Sequence, residues 1–297
     1  MLVYCCTLPH RYTIEPFLAT WGASLKSKVR LVAYRDVATE PFDGVATVIF
    51  ADYDRLPAEF RAKMGILADN LISRGIRVLN HPQRSLLRAP LLTALYAAQI
   101  NSFRAFLVPD LPTSDSTQPL RFPVFARLAN DHQGAGTMLL TGPNELQRML
   151  ADAKRRGFPM EEMLVVEFCE TKGADGLYRK YSCFCVDGAI LPRHLIVSKR
   201  WMLRVPDLVT TDLVEEERVF FETNPHQDLV RRVFEMAKMG YGRIDYSIVG
   251  DRVQVWEINS NPYVMYPPEK YQPFQLPNQH WFAPRMIKLF EGLSAPR

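Results

Sequence analysis

The chain has 297 residues, 47% of them hydrophobic and 23% charged. That length exceeds what one compact core usually serves, because single cores stop growing near roughly 250–300 residues, and the apolar content excludes wholesale disorder. Net charge is +4, too mild for a nucleic-acid partner without a clustered basic stripe, and no apolar run approaches the roughly 20 residues that span a bilayer.

Over the first hundred residues, strand and helix patterns alternate. Short apolar, β-branched runs at 2–6, 29–34, 47–50 and 76–79 predict strands. Between the last two, Leu56, Phe60, Met64, Leu67 and Leu71 fall at helical spacing, with Pro57 at the start and Gly75 after the end. Such alternation predicts a mostly parallel sheet with helices on its faces. No G-x-G-x-x-G is present here, which argues against a Rossmann dinucleotide site. Residues 83–99 predict a helix that Pro90 kinks or restarts, and the polar stretch 109–119 between prolines is the best linker signal.

The second half reads differently. A strand at 122–128, a glycine-containing loop at 131–136, a helix at 143–156 and a strand at 164–168 come first. Strands at 181–186 and 189–197 flank Asp187-Gly188, a hairpin turn pair. A helix at 226–239 precedes a second hairpin, 244–249 and 253–258, around Gly250-Asp251. Antiparallel strands with helices to one side indicate α+β architecture. The runs Lys154-Arg155-Arg156 and Glu215-Glu216-Glu217 read as solvated helix faces. The five cysteines, Cys5, Cys6, Cys169, Cys183 and Cys185, include no C-x-x-C and sit in strand-like apolar runs. Buried thiols in a reducing cytoplasm are the expectation.

The stretch GRIDYSIVGDRVQVWEINSNP, 242–262, carries the most chemistry. Side chains alternate faces along a strand, so Asp245 and Ser247 share one face, Trp256 and Ile258 another, and Glu257 and Asn259 the face opposite Trp256. A three-residue turn at 250–252 would set Asp245 across from Glu257; a two-residue turn would set it across from Trp256. Like charges placed opposite repel, and a divalent cation between them removes the conflict. Magnesium suits such hard oxygen ligands and completes its shell with water and phosphate. The pattern alone equally allows the polar outer face of a surface hairpin.

This stretch resembles the metal-binding signature of ATP-grasp enzymes, an Asp on one strand followed by Glu-x-Asn on the next. Companions stand in the matching order: FPVFARLANDHQGAG at 122–136 resembles the strand and glycine loop over the nucleotide phosphates, LVVEFCE at 164–170 the adenine hinge, and YRKYSCFCVDGAILPRH at 178–194 the following strand pair. The resemblance covers roughly residues 88–268. It implies an N-terminal parallel α/β domain (1–87) before a two-lobed ATP-grasp domain (88–297, lobes near 88–175 and 176–297).

By the same resemblance, Asp245, Glu257 and Asn259 would hold one or two Mg2+ (Mn2+ as an alternative) on ATP. Glu167, Phe168 and Cys169 would form the hinge through backbone groups, and Glu170 would bond the ribose. Gln133, Gly134 and Gly136 would cradle phosphates. Either Arg179 or Lys180 would meet a phosphate. Read from the residues themselves, the basic cluster Arg193, His194, Lys199, Arg200 and Arg204 after the first hairpin is either a clamp for an acidic substrate and the transferred phosphoryl group or a solvated basic loop. Tyr263, Tyr266 and Tyr271 would line the substrate entrance or pack the tail, and Asn261 would be placed to touch the acceptor.

One departure stands out. No lysine occurs between Lys63 and Lys154, where relatives carry two on the nucleotide; Arg127 takes the strand position, and Arg88 and Arg104 lie near the upstream one. The implied activity is ATP-dependent joining of a carboxylate and an amine, small molecules or a peptide, through an acyl-phosphate. A small-molecule kinase and a non-catalytic nucleotide-binding module stay open as alternatives, as does a homodimer. Neither a nucleic acid nor a membrane is an expected partner.

Overall fold

A computed structural model describes residues 1–113, 116–130, 137–203 and 207–296. In chain order the elements are β1 (Leu2–Cys6), α1 (Glu15–Ala19), β2 (Val29–Ala33), β3 (Thr47–Phe50), α2 (Ala58–Ser73), β4 (Arg77–Leu79), α3 (Arg88–Ala97), β5 (Ala105–Leu107) and β6 (Val124–Leu128). There follow α4 (Pro143–Arg155), β7 (Met163–Glu167), β8 (Tyr178–Val186), β9 (Ala189–Ser198), α5 (Thr211–Thr223), α6 (Gln227–Ala237), β10 (Tyr241–Val249), β11 (Arg252–Asn259) and α7 (Leu276–Ser294).

Among the described residues three sheets form, ordered β2-β1-β3-β4, β5-β7-β6 and β11-β10-β8-β9. The first is wholly parallel, with Leu2 level with both Val29 and Thr47. The other two are antiparallel. The expected mixed architecture is thus the observed one. In α3, Pro90 sits in the first turn, where the backbone N–H groups have no intrahelical partner, so the helix starts at Arg88 and needs no kink.

One continuous core joins the parallel sheet to the β8–β11 sheet, from Leu2 and Phe50 to Phe184, Tyr241 and Phe290. The β5-β7-β6 sheet splits by alternation: Leu164 and Val166 face that core, while Val165 and Val124 join Leu140 and Leu146 of a separate cluster. The last helix, α7, returns to the N-terminal unit. Phe290 meets Phe17 edge-on at 6.0 Å, and the Met1 amino group donates to the Ser294 carbonyl at 2.7 Å. The cysteines are free thiols, four buried and Cys169 half-buried. Among the described residues, no helix is long and apolar enough to cross a membrane.

Two buried asparagines fix the strands that carry the site. Asn80, in the left-handed region at φ 60°, accepts from the N–H groups of Gly240 and Tyr241 and donates to the Tyr241 carbonyl at 2.8 Å. Asn101 acts as one more strand residue beside edge strand β11, accepting from the Val255 N–H at 2.8 Å and donating to its carbonyl at 3.0 Å. Edge polar groups are thereby satisfied in a buried setting. Gly242 is a steric requirement as well: at φ 154°, a Cβ would stand 2.8 Å from the Asn259 carbonyl oxygen.

Candidate active site

The β10–β11 hairpin closes through a two-residue turn, since Val249 pairs with Arg252. The three-residue turn expected from sequence is not formed. Asp245 nevertheless pairs with Glu257, because the register shifts between Asp245 and Tyr246 and leaves Trp256 as an extra residue. Such a bulge re-aims side chains locally. Trp256 therefore lines the same cavity as Glu257 and Asn259, instead of the opposite face. The β8–β9 hairpin repeats the device. A shift between Ser182 and Cys183 leaves Arg193 unpaired, and the adjacent Arg193 and His194 both line a second cavity.

The first cavity, about 500 Å³, has a polar end and an aromatic end. At the polar end stand Asp245, Glu257, Asn259, Lys180 and Arg243. Asp245 is buried; its carboxylate accepts from Ser182 Oγ at 2.7 Å and Arg243 Nε at 3.1 Å and lies 3.2 Å from Lys180 Nζ. Burial alone would raise its pKa, but Arg243 and Lys180 outweigh that and hold it well below the usual carboxylate range. Glu257 accepts from Arg88 at the start of α3, and Asn259 Oδ1 accepts from the Asn261 N–H at 2.9 Å.

At the aromatic end, Phe125 and Arg127 share one face of β6, and Phe168, Cys169 and Trp201 close the wall. The Trp201 ring lies 5.6 Å from both Phe125 and Phe168. The N–H groups of Glu167 and Phe168 are already spent on the carbonyls of Arg104 and Pro123, each at 2.9 Å. Of the hinge donors expected at 167–169, these two are committed to the fold. The Glu167 side chain is not in the cavity lining: buried at 1% exposure, it is held by Arg104 and Arg121. Glu170 is exposed, and its carboxylate accepts from the Lys172 N–H at 3.0 Å and the Tyr178 hydroxyl at 3.2 Å.

Strand alternation sends Arg179 and Lys180 to opposite sides. Lys180 faces Asp245 and lines both cavities, whereas Arg179 turns away to Asp175 and Glu216. Lys199 and Arg200 are exposed beyond the end of β9 and line neither cavity. Gln133, Gly134, Gly136 and Arg204 lie outside the described residues.

The second cavity, about 610 Å³, adjoins the first and shares Lys180, Arg243 and Asn259 with it. Arg193 borders it but spends its guanidinium on the Val264 carbonyl, Gln279 Oε1 and the Tyr271 hydroxyl, at 3.0–3.1 Å. Asn261 is likewise bound into the fold: its Oδ1 accepts from the Tyr4 and Thr13 hydroxyls, both at 2.7 Å. Tyr263, Tyr266 and Tyr271 line this cavity. Glu217 does too, so the acidic run is not wholly a solvated face. Its carboxylate accepts from the Leu195 N–H and Asn278 Nδ2, both at 3.0 Å, and burial raises its pKa. Arg243 is a site residue the sequence reading did not single out; its place two residues before Asp245 on one strand was the available signal.

His194 accepts or donates at Ser182 Oγ, 2.7 Å away, and Ser182 in turn donates to Asp245. With the Ser182 O–H directed at Asp245, Ser182 Oγ accepts from the His194 Nε2–H. Burial, then the charge of Arg243, holds His194 well below its ordinary pKa, and burial lowers His226. A base with a depressed folded pKa leaves more protons on the unfolded chain, so stability is full above the ordinary histidine value near 6.5 and falls below it. Thermal midpoints are expected to drop between about pH 7.5 and 6, with a smaller drop in His226→Gln. Glu217, with its raised pKa, works in the opposite direction at lower pH. An equal slope in both proteins would remove His226 from this account.

The donor set fits magnesium. Among the described residues no three His, Cys, Asp or Glu side chains converge into a closed metal site. Two carboxylates and one amide oxygen leave about half of a six-oxygen shell to water and phosphate, which suits magnesium.

No protein-family model and no curated protein matches the sequence. Solved structures do. The chain is similar to the D-alanine–D-alanine ligase of Bacillus anthracis complexed with ATP, at 14% identity over 99% of this chain and 97% of that one, TM-score 0.57. It is also similar to the ATP-grasp ligase PsnB complexed with a precursor variant, Mg and ADP (12% identity, 99% and 97% covered, TM-score 0.54). A third is D-cycloserine synthetase DcsG (14% identity, 97% and 99% covered, TM-score 0.52). The chain has the ATP-grasp fold of these structures.

Proposed function

We propose that the protein is an ATP-dependent carboxylate–amine ligase that forms ADP. The observation that carries this is the pairing of Asp245 with Glu257 at the junction of two cavities sharing Lys180, Arg243 and Asn259. The aromatic end of the 500 Å³ cavity takes the base, where Phe168, Trp201 and Phe125 offer ring faces and the Cys169 backbone the polar edge. Arg127 reaches the phosphates from β6; it stays charged, though its fork is bulkier than an ammonium. Asp245, Glu257 and Asn259 would hold Mg2+, which would neutralise phosphate charge.

The acid lies in the 610 Å³ cavity with its carboxylate toward Lys180 and Arg243. A carboxylate oxygen attacks the γ-phosphorus, and the bond from phosphorus to the bridging oxygen breaks to release ADP. The amine nitrogen then attacks the acyl carbon, the C–O bond to phosphate breaks, and the nitrogen loses a proton. Lys180 and Arg243 stabilise the charge on the moving oxygens, where fixed positive groups contribute most.

A screen over acids and amines, reading ADP, phosphate and product mass, tests the proposal. Amide product with stoichiometric phosphate supports it. ADP with a phosphorylated acceptor and no phosphate release would mean a kinase, and Mg-ATP binding without turnover on any substrate a binding module. Arg127→Ala is expected to weaken ATP affinity by about tenfold, the scale of one charge-assisted contact; unchanged affinity removes Arg127 from the site.

A further inference from the structure

The 610 Å³ cavity is larger than a small polar acid requires, and its lining mixes polar groups with large apolar side chains. Its volume lies within the roughly 300–1,000 Å³ that encloses drug-sized ligands. Its basic floor is the part shared with the other cavity, Lys180 and Arg243. Its walls include Leu195 and Val197 of β9 and Leu213 and Val214 of α5. Four large apolar side chains that line it are strongly exposed: Tyr12 at 53%, Val209 at 50%, Tyr266 at 48% and Phe274 at 42%. Single exposed hydrophobics are ordinary, but several around one opening mark a contact surface. The Tyr263 and Tyr266 rings stack there at 4.2 Å between centroids. An alanine-sized acid bound at Lys180 and Arg243 would leave that rim in water, and a hydrophilic polyanion would not cover it favourably.

We propose that this cavity takes a carboxylic acid with a bulky apolar body, the carboxylate on Lys180 and Arg243 and the body against Tyr266, Phe274 and Val209. This rests on the ligase reading only for which substrate is activated; the binding preference can be measured without turnover. Two sources share the chemistry, a free aryl- or alkyl-substituted acid and the C-terminus of an apolar peptide.

The experiment is calorimetric binding to the full chain, with Mg and a non-hydrolysable ATP analogue and without them. Its probes are alanine, 4-phenylbutanoate, N-acetyl-Leu-Phe and the C-terminal amide of that peptide. At least one bulky acid is expected to bind about tenfold or more tightly than alanine. Tight phenylbutanoate binding alone identifies a free acid, and tight peptide binding a chain end. Tyr266→Ala should weaken the bulky acids about fivefold, with Tyr266→Phe near wild type. Alanine binding as tightly as both bulky acids overturns the proposal. So does an amide that binds as tightly as its acid, or a Tyr266→Ala variant with unchanged affinity. ADP release is read in parallel. Tight, Tyr266-dependent binding with no ADP release sinks the ligase reading and leaves the site standing; ADP release with alanine and no bulky-acid preference does the reverse.

Discussion

Asp245→Asn is expected to abolish the magnesium-dependent part of ATP stabilisation and to cut turnover by about 100- to 1,000-fold. The substitution keeps an oxygen acceptor for Ser182 Oγ but removes the charge that balances Arg243 and Lys180. In the ligand-free molecule these two cations neutralise Asp245, and Arg88 pairs with Glu257. On the proposed reading, a triphosphate would draw Arg243 and Lys180 toward itself and leave Asp245 to the metal. Ligand at about 100 times its dissociation constant adds roughly 2.7 kcal/mol of stability. The variant will itself be less stable, so the quantity to read is the difference between ATP shifts with and without magnesium. Glu257→Gln should lose the same difference. If both variants keep the full magnesium-dependent shift, these residues hold no metal.

How the sequence bears on this site is instructive in detail. The juxtaposition of Asp245 and Glu257 was legible, but through the wrong turn: a two-residue turn and a bulge at Trp256 sum to the same offset as a three-residue turn. Period-two reasoning cannot see a bulge, because one extra residue flips parity only beyond it. For the same reason Trp256 was assigned to the far face. Glu217 was misread for a different reason. In α5 it sits at helical spacing with Leu213, Phe220 and Phe221, so it lies on the buried side. The run of three glutamates drew attention to charge and away from period. The parallel N-terminal sheet needed no such correction, since its strands are buried on both faces and read as continuous apolar runs. Strand β5, three residues long, gives no period to read.

Glu167→Ala is expected to be among the most destabilising single changes in the protein, for reasons separate from catalysis. Glu167 Oε1 accepts from Arg104 Nε and the Arg121 N–H, and Oε2 from the Arg104 N–H and Arg121 Nε, at 2.9–3.0 Å. Burial would raise its pKa, yet the bonds from both arginines bring it below the ordinary value. Arg104 is itself buried and also donates to the Gln118 and Pro119 carbonyls. Thus one carboxylate ties the segment before β5, the segment before β6 and the end of β7 together. Truncating it leaves the Arg104 charge buried without its counter-ion, a situation that typically costs about 3–5 kcal/mol. The thermal midpoint should fall by on the order of 10 °C. Arg121→Ala should cost far less, because its side chain is 55% exposed and the pair is screened by water. Replacing Glu167 and Arg104 together by methionine should recover the part of the loss that comes from the orphaned guanidinium, though the Arg104 and Arg121 backbone N–H groups still lose their acceptor. If the double variant is as unstable as Glu167→Ala, the damage comes from lost strand geometry and not from the orphaned charge. Because the Glu167 side chain does not line the cavity proposed to take the nucleotide, folded Glu167→Gln should bind ATP more nearly like wild type than Arg127→Ala does.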